Sequence, residues 1–212
     1  MSAYEEQEDL DRLKAWWKNY GSSLIFGVLL GVAVLVGFRY WSQHKEQQLY
    51  TAAGLYERLF QNVSAKKIDD ALKLGDTLIK DYPSTPYAGL AGLMLARFDF
   101  EAGDVAKARE RLQWVLEHNG DDAMKHVARL RLARILLGNG DQEAALALLS
   151  TKDRAGFEAE YSELEGDIRV AQGRHEAART AYREALKHLP ADSPYAPVLN
   201  MKLDDLGPEK TL

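Results

Sequence analysis

A stretch of twenty residues without a charged side chain lies between Lys18 and Arg39 and constrains the fold more than any other feature. It runs from Asn19 to Phe38 and reads NYGSSLIFGVLLGVAVLVGF. At about 1.5 Å rise per residue, a helix of this length covers about 30 Å, which is the thickness of the hydrocarbon core of a bilayer. A helix satisfies all of its backbone hydrogen bonds within the segment, as a single span must. The sequence therefore predicts one transmembrane helix.

Aromatic side chains flank the apolar stretch on both sides, as they do where a helix crosses the two interfaces of a membrane. They are Trp16, Trp17 and Tyr20 before the stretch and Tyr40 and Trp41 after it. A buried helix of a soluble protein and a cleaved signal peptide are the alternatives. The first is disfavoured because core helices rarely lack polar residues for so long, and the second because the bulky run 38–41 offers no cleavage site of small residues. We expect a permanent single-pass anchor at residues 19–41, in contact with the lipid bilayer.

The segment before the anchor, residues 1–18, is predicted to be amphipathic, and residues 5–20 are predicted to form a short helix that lies at the membrane surface and leads into the anchor. Its apolar side chains, together with Tyr20, recur at helical spacing: Leu10, Leu13, Trp17 and Tyr20. A frayed polar tail is the alternative.

Basic residues favour a cytoplasmic N-terminus only slightly, with three before the anchor and two after it. They are Arg12, Lys14 and Lys18 against Arg39 and Lys45.

Within the anchor, Gly27 and Gly31 stand four residues apart and form one GxxxG pair. Small residues at this spacing let two transmembrane helices approach closely. The pair indicates a packing face for a partner's transmembrane helix. The alternative is that these glycines make no such contact, because glycine is common in membrane helices in general.

The composition supports neither catalysis nor nucleic-acid binding. The net charge is −5, and no basic patch with interleaved aromatic residues occurs, so no nucleic-acid partner is expected. The chain has no cysteine, and its five histidines are scattered singly, without the spacing of a metal site. Motifs for a serine nucleophile, a phosphate loop or a dinucleotide are absent. We therefore expect no enzyme, no cofactor and no metal.

From Ser42 onward the chain is rich in strong helix formers and carries an internal repeat. The four copies start at Lys66, Gly103, Gly140 and Gly173, which lie 37, 37 and 33 residues apart. Small or apolar residues follow each start at offsets of 5 and 9, and in three copies also at 12. Seven positions before each glycine stands a small residue: Ala96, Ala133 and Gly166. The first copy has Leu59 there, and the third has Phe157 in place of the late proline.

This pattern resembles the tetratricopeptide repeat, a unit of two antiparallel helices with roughly 34 residues. The glycine would end the first helix in a left-handed conformation, and the small residues would let the two helices cross closely. We predict an all-α chain, with an N-terminal single transmembrane helix followed by a tetratricopeptide-like helical-hairpin solenoid at residues 42–207. Leu199, Leu203 and Leu206 are expected to form a capping helix, and residues 208–212 a flexible tail.

A solenoid of helical hairpins presents a concave groove, lined by the first helix of each hairpin. By the repeat register, the groove-facing candidates are Leu90, Leu93, Arg97, Phe100, Val127, Leu130, Arg134 and Leu137. Two arginines among apolar side chains suit an extended peptide, whose carbonyl oxygens or acidic side chains they would bind. The alternative, which we favour for each leucine or valine individually, is that these apolar residues are ordinary core.

Four segments resemble the YfgM family of ancillary subunits of the bacterial SecYEG translocon. They are LKAWWKNYG after the acidic start, the anchor FGVLLGVAVLVGFRYWSQHK, LRLARILL at residues 130–137 and MKLDDLG at residues 201–207. The resemblance implies a bacterial inner-membrane protein with a cytoplasmic N-terminus and a periplasmic repeat domain. It also implies three kinds of partner, namely SecYEG, the membrane-anchored periplasmic chaperone PpiD and newly exported chains, and it brings no catalytic or cofactor residues.

The predicted function is that of a membrane-tethered adaptor at the translocon. Two alternatives remain at the level of the sequence. One is a cytoplasm-facing scaffold for a signalling or envelope complex. The other is a structural subunit that stabilises a membrane complex without binding client chains.

Overall fold

The computed structural model describes residues 3–154 and 156–208, and within these ranges the chain forms nine helices and no strand. The helices are α1 (Ala3–Ser64), α2 (Ile68–Asp81), α3 (Pro86–Glu101), α4 (Val105–His118), α5 (Asp122–Gly138), α6 (Gln142–Leu149), α7 (Glu158–Ala171), α8 (His175–His188) and α9 (Ala196–Asp205). The all-α prediction is therefore confirmed. Residues 209–212, which make up most of the predicted tail, lie outside the described part.

The described chain divides into two compact units, one up to Tyr50 and the other from Thr51. In the first unit residues 24–38 of the apolar stretch are helical and exposed, with Leu24 at 47 % and Phe38 at 65 % exposure. Of the described helices, only α1 is long and apolar enough to cross a membrane, and its apolar part lies near the N-terminus. By length and composition it fits the predicted anchor. The side chains of Leu10 and Leu13, on which the predicted amphipathic face depends, lie outside the described part.

In the second unit, the helices are joined by the turns that the repeat predicts. Gly103, Gly140 and Gly173 have φ of 85°, 81° and 71°, in the left-handed region that glycine adopts without steric cost. They join α3 to α4, α5 to α6 and α7 to α8. At the first turn, Lys66 has φ of 59°. The first copy of the repeat thus keeps the left-handed turn although it lacks the glycine.

The helices cross closely where the sequence has small residues. Ala96 and Ala133 are buried at 3 % and 0 % exposure. A β-carbon at Gly166 would lie 2.3 Å from a ring carbon of Tyr182, so a larger residue there would have to displace the ring. In the first repeat Leu59 takes this place and is fully buried. The sequence therefore located the close contacts between paired helices correctly.

The third hairpin has the shortest second helix, α6, with eight residues. It ends at Leu149, well before Phe157, which stands at the N-cap of α7. The position that holds a late proline in two other copies, Pro83 and Pro190, therefore belongs to the start of the next hairpin here. The irregularity in the sequence corresponds to a real shortening of one helix.

Helix α9 closes the last hairpin. Leu199 is 1 % exposed and belongs to a hydrophobic cluster with Tyr182, and Leu203 and Leu206 pack against the same cluster. Covering the end of a solenoid in this way removes apolar surface from water. The predicted capping helix is confirmed.

Candidate partner-binding groove

A pocket of about 320 Å³ lies between helices α3 and α5, the first helices of two neighbouring hairpins. It is lined by Ala96, Arg97, Phe100, Leu112, Arg131, Arg134 and Ile135. Three of these residues, Ala96, Leu112 and Ile135, are buried, whereas Phe100 and the three arginines are exposed. The pocket thus combines apolar walls with three cationic side chains, and we call it the arginine pocket.

The structure brings together three of the eight residues that the sequence singled out for the groove. Arg97, Phe100 and Arg134 all line the arginine pocket. Leu93 and Leu130 are 8 % and 3 % exposed and lie in the hydrophobic core.

The other apolar candidates are also packed away from this pocket. Leu137 and Val127 are half-buried and pack against the same core as Leu93 and Leu130. Leu90 is half-buried as well. Leu93, Leu130, Val127 and Leu137 therefore belong to the core or pack against it, and the exposed candidates are Arg97, Arg134 and Phe100.

Arg131 is the charged residue of the pocket that the sequence reasoning missed; Ala96, Leu112 and Ile135 were not predicted to line the groove either. Arg131 stands three residues before Arg134, a spacing that puts two side chains on the same face of a helix. Its Nη1 atom donates a hydrogen bond to the carbonyl oxygen of Leu93 at 3.0 Å, which links α5 to α3. The spacing of Arg131 and Arg134 on one predicted helix could have indicated that both side chains face the groove.

The three guanidinium groups of the arginine pocket have one carboxylate among them in the described part of the chain. Glu101 accepts a hydrogen bond from Nε of Arg97 at 2.7 Å. Partial burial, together with the positive charges of Arg97 and Arg134, lowers the pKa of Arg131. Among the described residues, Arg97 is therefore the one guanidinium group of this pocket that forms an ion pair with a carboxylate.

A second pocket, of about 400 Å³, shares Arg134 and reaches helices α7 and α9. Two carboxylates line it: Glu160, which is exposed, and Glu163, which is 5 % exposed and fully engaged within the chain. The hydroxyl of Tyr195 donates to Glu163 Oε1 at 2.6 Å, and Nζ of Lys202 lies 2.7 Å from the same atom. Nζ of Lys202 also donates hydrogen bonds to the two carboxylate oxygens of Asp167, at 2.7 Å and 2.9 Å. We call Glu163, Asp167, Lys202, Tyr182 and Tyr195 the acidic cluster.

The pKa shifts in the acidic cluster reflect this mutual engagement. Burial and the Asp167 carboxylate raise the pKa of Tyr182, whose hydroxyl donates to Asp167 at 2.8 Å. The hydrogen bond to Glu163, and then burial, raise the pKa of Tyr195. Burial lowers the pKa of Lys202, but its contacts with Asp167 and Glu163 outweigh that effect and raise it.

The predicted transmembrane packing residues lie on an open face of α1. A β-carbon at Gly27 or at Gly31 would have no heavy atom of the described chain within 4 Å outside its own helix. The surface around the GxxxG pair is therefore not used for packing within the described part of this chain.

The chemistry available in the arginine pocket is binding. A guanidinium group stays protonated at any physiological pH, offers five N–H donors and cannot exchange a proton with a substrate. Its planar fork matches the two oxygens of a carboxylate. The arrangement is suited to hold an anionic group next to an apolar one.

Comparison with known proteins gives consistent matches along the chain. The profile of the tetratricopeptide repeat-like domain matches residues 14–208. A protein of Neisseria gonorrhoeae named "Ancillary SecYEG translocon subunit" is 31 % identical over 208 residues, which are 97 % of this chain and 100 % of that protein. A protein of the same name from Escherichia coli is 30 % identical over 210 residues, 98 % of this chain and 100 % of that protein.

A third relative carries the same name. The protein from Haemophilus influenzae is 30 % identical over 182 residues, 85 % of this chain and 88 % of that protein. The similarity thus includes the apolar stretch as well as the repeats, and the resemblance read from the sequence is confirmed. The chain belongs to the family of ancillary SecYEG translocon subunits and contains that family's tetratricopeptide repeat-like domain.

Proposed function

We propose that this protein is a membrane-tethered adaptor that binds the SecYEG translocon and assists in the handling of exported proteins. The observation that carries the proposal is the match of almost the whole chain to relatives named as ancillary subunits of that translocon. In this proposal residues 1–18 lie in the cytoplasm, residues 19–41 cross the inner membrane and residues 42–207 lie in the periplasm. The adaptor has no catalytic role.

The partners of the repeat domain are proposed to be a membrane-anchored periplasmic chaperone of the PpiD type and emerging chains. Solenoids of helical hairpins bind partners on the concave surface, and the arginine pocket is the exposed part of that surface with the most distinctive chemistry. Tethering beside the translocon raises the effective concentration of the domain near the exported chain, so that weak binding is sufficient.

The proposed partnership is tested by purification of the full chain, with a C-terminal tag, from mildly solubilised membranes. We expect SecYEG and a membrane-anchored chaperone among the bound proteins identified by mass spectrometry. A tagged version of an unrelated single-pass protein is the control for non-specific recovery. Recovery of another membrane complex without SecYEG would contradict the proposal.

The contribution of the anchor is tested separately with Gly27→Leu/Gly31→Leu. If the GxxxG face packs against a helix of a partner, the two leucines keep the backbones apart and SecYEG recovery falls. The matched control is Val28→Leu/Val32→Leu, which changes neighbouring positions without adding bulk at the glycines. Equal recovery from both double variants would exclude the glycine face as the contact.

The proposed orientation is tested by protease treatment of spheroplasts and of inverted membrane vesicles. A periplasmic repeat domain is digested in spheroplasts and protected in inverted vesicles. The reverse pattern would support the cytoplasm-facing scaffold instead.

A further inference from the structure

We infer that the arginine pocket binds an acidic peptide segment, in which the carboxylate of a Glu or Asp meets the guanidinium groups and a neighbouring apolar side chain packs on Phe100 and Ile135. The inference rests on the proposed function, because a client or partner chain supplies the segment. The inference specifies the peptide: it is a segment with an acidic residue next to an apolar one.

Charge balance in the second unit is the first support. Arg111 forms ion pairs with Asp99 and with Asp76, the latter at 2.7 Å. Lys202 forms ion pairs with Glu163 and Asp167, each at 2.7 Å. Both cations hold helices together and both are neutralised by carboxylates of the chain itself.

The arginine pocket lacks this balance. Among the residues that the structure describes, Arg97 pairs with Glu101, whereas Arg131 and Arg134 form no ion pair. Arg134 also borders the second pocket, but there Glu163 is already bound by Tyr195 and Lys202, and the exposed Glu160 forms no ion pair with it. Partial burial, and then the positive charges of Arg97 and Arg134, lower the pKa of Arg131. An anion placed among them would relieve this repulsion, because opposite charges a few ångströms apart stabilise each other.

The donors of the pocket are partly fixed before any ligand arrives. The contact with the Leu93 carbonyl holds the Arg131 side chain, and the contact with Glu101 holds that of Arg97. Each of these bonds uses one of five N–H donors, so most donors stay free to meet a carboxylate. Donors that are held in place lose less conformational entropy on binding, which favours affinity.

The apolar lining favours a peptide over a simple anion. Phe100 is a large aromatic residue that is 52 % exposed, and Ile135 and Ala96 form buried apolar lining next to it. A phosphate ion would gain from the arginines but would leave Phe100 in water. The pocket volume of about 320 Å³ lies at the low end of sites for small ligands, which span about 300–1,000 Å³. This size suits a side chain or two of an extended segment.

The test uses the full chain in micelles of a non-ionic detergent and two fluorescein-labelled peptides. The acidic probe is Gly-Ser-Glu-Leu-Glu-Phe-Ser-Gly, and the neutral probe has Gln in place of each Glu. Fluorescence anisotropy measures the dissociation constants. We expect the acidic probe to bind about tenfold more tightly at low salt, and this preference to shrink as salt screens the exposed charges.

The test variant is Arg131→Gln/Arg134→Gln, which removes two charges from the pocket. The matched control is Arg58→Gln/Arg174→Gln, which removes two charges from exposed positions on α1 and before α8. We expect the test variant to lose the preference for the acidic probe and the control to keep it. Arg131→Lys/Arg134→Lys keeps the charge without the planar fork and should bind the acidic probe with intermediate affinity.

Two results would overturn the inference: equal affinity of the native chain for both probes, or equal loss of acidic-probe binding in the test and control variants. Circular dichroism of each variant checks that the helices are intact. Failure of the proposed function is distinguishable, because it is measured by SecYEG recovery from membranes. A chain that recovers SecYEG but does not discriminate between the probes would keep the proposed function and lose this inference.

Discussion

The acidic cluster and the arginine pocket share the neighbourhood of Arg134, yet they treat their charges in opposite ways. In the acidic cluster, Glu163 and Asp167 are held by Lys202 and by two tyrosine hydroxyls. In the arginine pocket, Glu101 pairs with Arg97, and within the described residues Arg131 and Arg134 form no ion pair. The difference teaches that the charges which fasten helices here are neutralised inside the chain, whereas the clustered arginines beside Phe100 stay available to another molecule. The predictions below test this contrast.

Removal of the cation from the acidic cluster should have the largest effect. Lys202→Met leaves Glu163 buried without its ammonium partner, and an unsatisfied buried charge costs about 2–3 kcal/mol of unfolding free energy. Urea unfolding of the full chain in detergent, followed by circular dichroism, measures the loss. Lys187→Met is the control, because its ion pair with Glu184 is exposed to solvent, where such pairs contribute little to stability. Equal losses of unfolding free energy in the two variants would contradict a structural role of the acidic cluster.

Crowding Tyr182 should have the next largest effect. Gly166→Ala puts a methyl group 2.3 Å from the ring of Tyr182, and overpacking of this kind typically costs about 1–3 kcal/mol. The displaced ring would also weaken the hydrogen bond to Asp167. Gly54→Ala is the matched control, since its methyl group meets nothing within 4 Å and alanine favours a helix by up to about 1 kcal/mol. The two substitutions should therefore shift the unfolding midpoint in opposite directions.

High pH should loosen the acidic cluster and leave the arginine pocket charged. Tyr182, Tyr195 and Lys202 have raised pKa values in the folded chain. The folded state therefore holds their protons to higher pH than the unfolded state, and the stability they add is complete below about pH 10 and falls as pH rises beyond it. Each group contributes at most about 1.4 kcal/mol per pH unit to this fall.

The measurement is the unfolding free energy between pH 9 and 11, in the native chain and in Tyr182→Phe. The variant cannot ionise at this position, so its stability should fall less steeply with pH. A slope identical to that of the native chain would show that Tyr182 does not contribute.

The turns between paired helices offer a second comparison, between a turn with a strained backbone and turns without strain. Lys66 holds φ of 59° where the equivalent turns use glycine. A residue with a β-carbon in this conformation costs about 1–2 kcal/mol, part of which the greater flexibility of unfolded glycine offsets. Lys66→Gly should therefore raise the unfolding free energy by about 0.5–1 kcal/mol. The reciprocal change Gly103→Lys should lower it, and a loss in both variants would contradict this account.

Removal of charge from the arginine pocket should have the smallest effect on stability. Arg131→Gln/Arg134→Gln removes two repelling cations but also the hydrogen bond to Leu93, so we expect a change within about 0.5 kcal/mol. The same urea unfolding measurement applies. A loss as large as that of Lys202→Met would mean that these arginines fasten the fold, and the contrast between the two regions would disappear.

The repeat could be read from the sequence because its positions are imposed by local geometry. A left-handed turn favours glycine, and a close crossing excludes large side chains, so Gly103, Gly140, Gly173 and Gly166 are visible without any structure. The groove was harder to read. A leucine can pack in the core between helices or line a groove for a partner, and the repeat register that points to Leu93 and Leu130 does not distinguish these two roles.

By itself, the sequence determined the apolar stretch at residues 19–38, the helical hairpins and the family, because each depends on hydrophobicity or spacing along the chain. Only the tertiary structure decided which charges meet. The pairing of Lys202 with Glu163 joins residues 39 positions apart, and the arginine pocket assembles from two hairpins. Contacts of this kind depend on the angle and rotation of packed helices, which arise from the sum of many side-chain contacts and leave no period in the sequence.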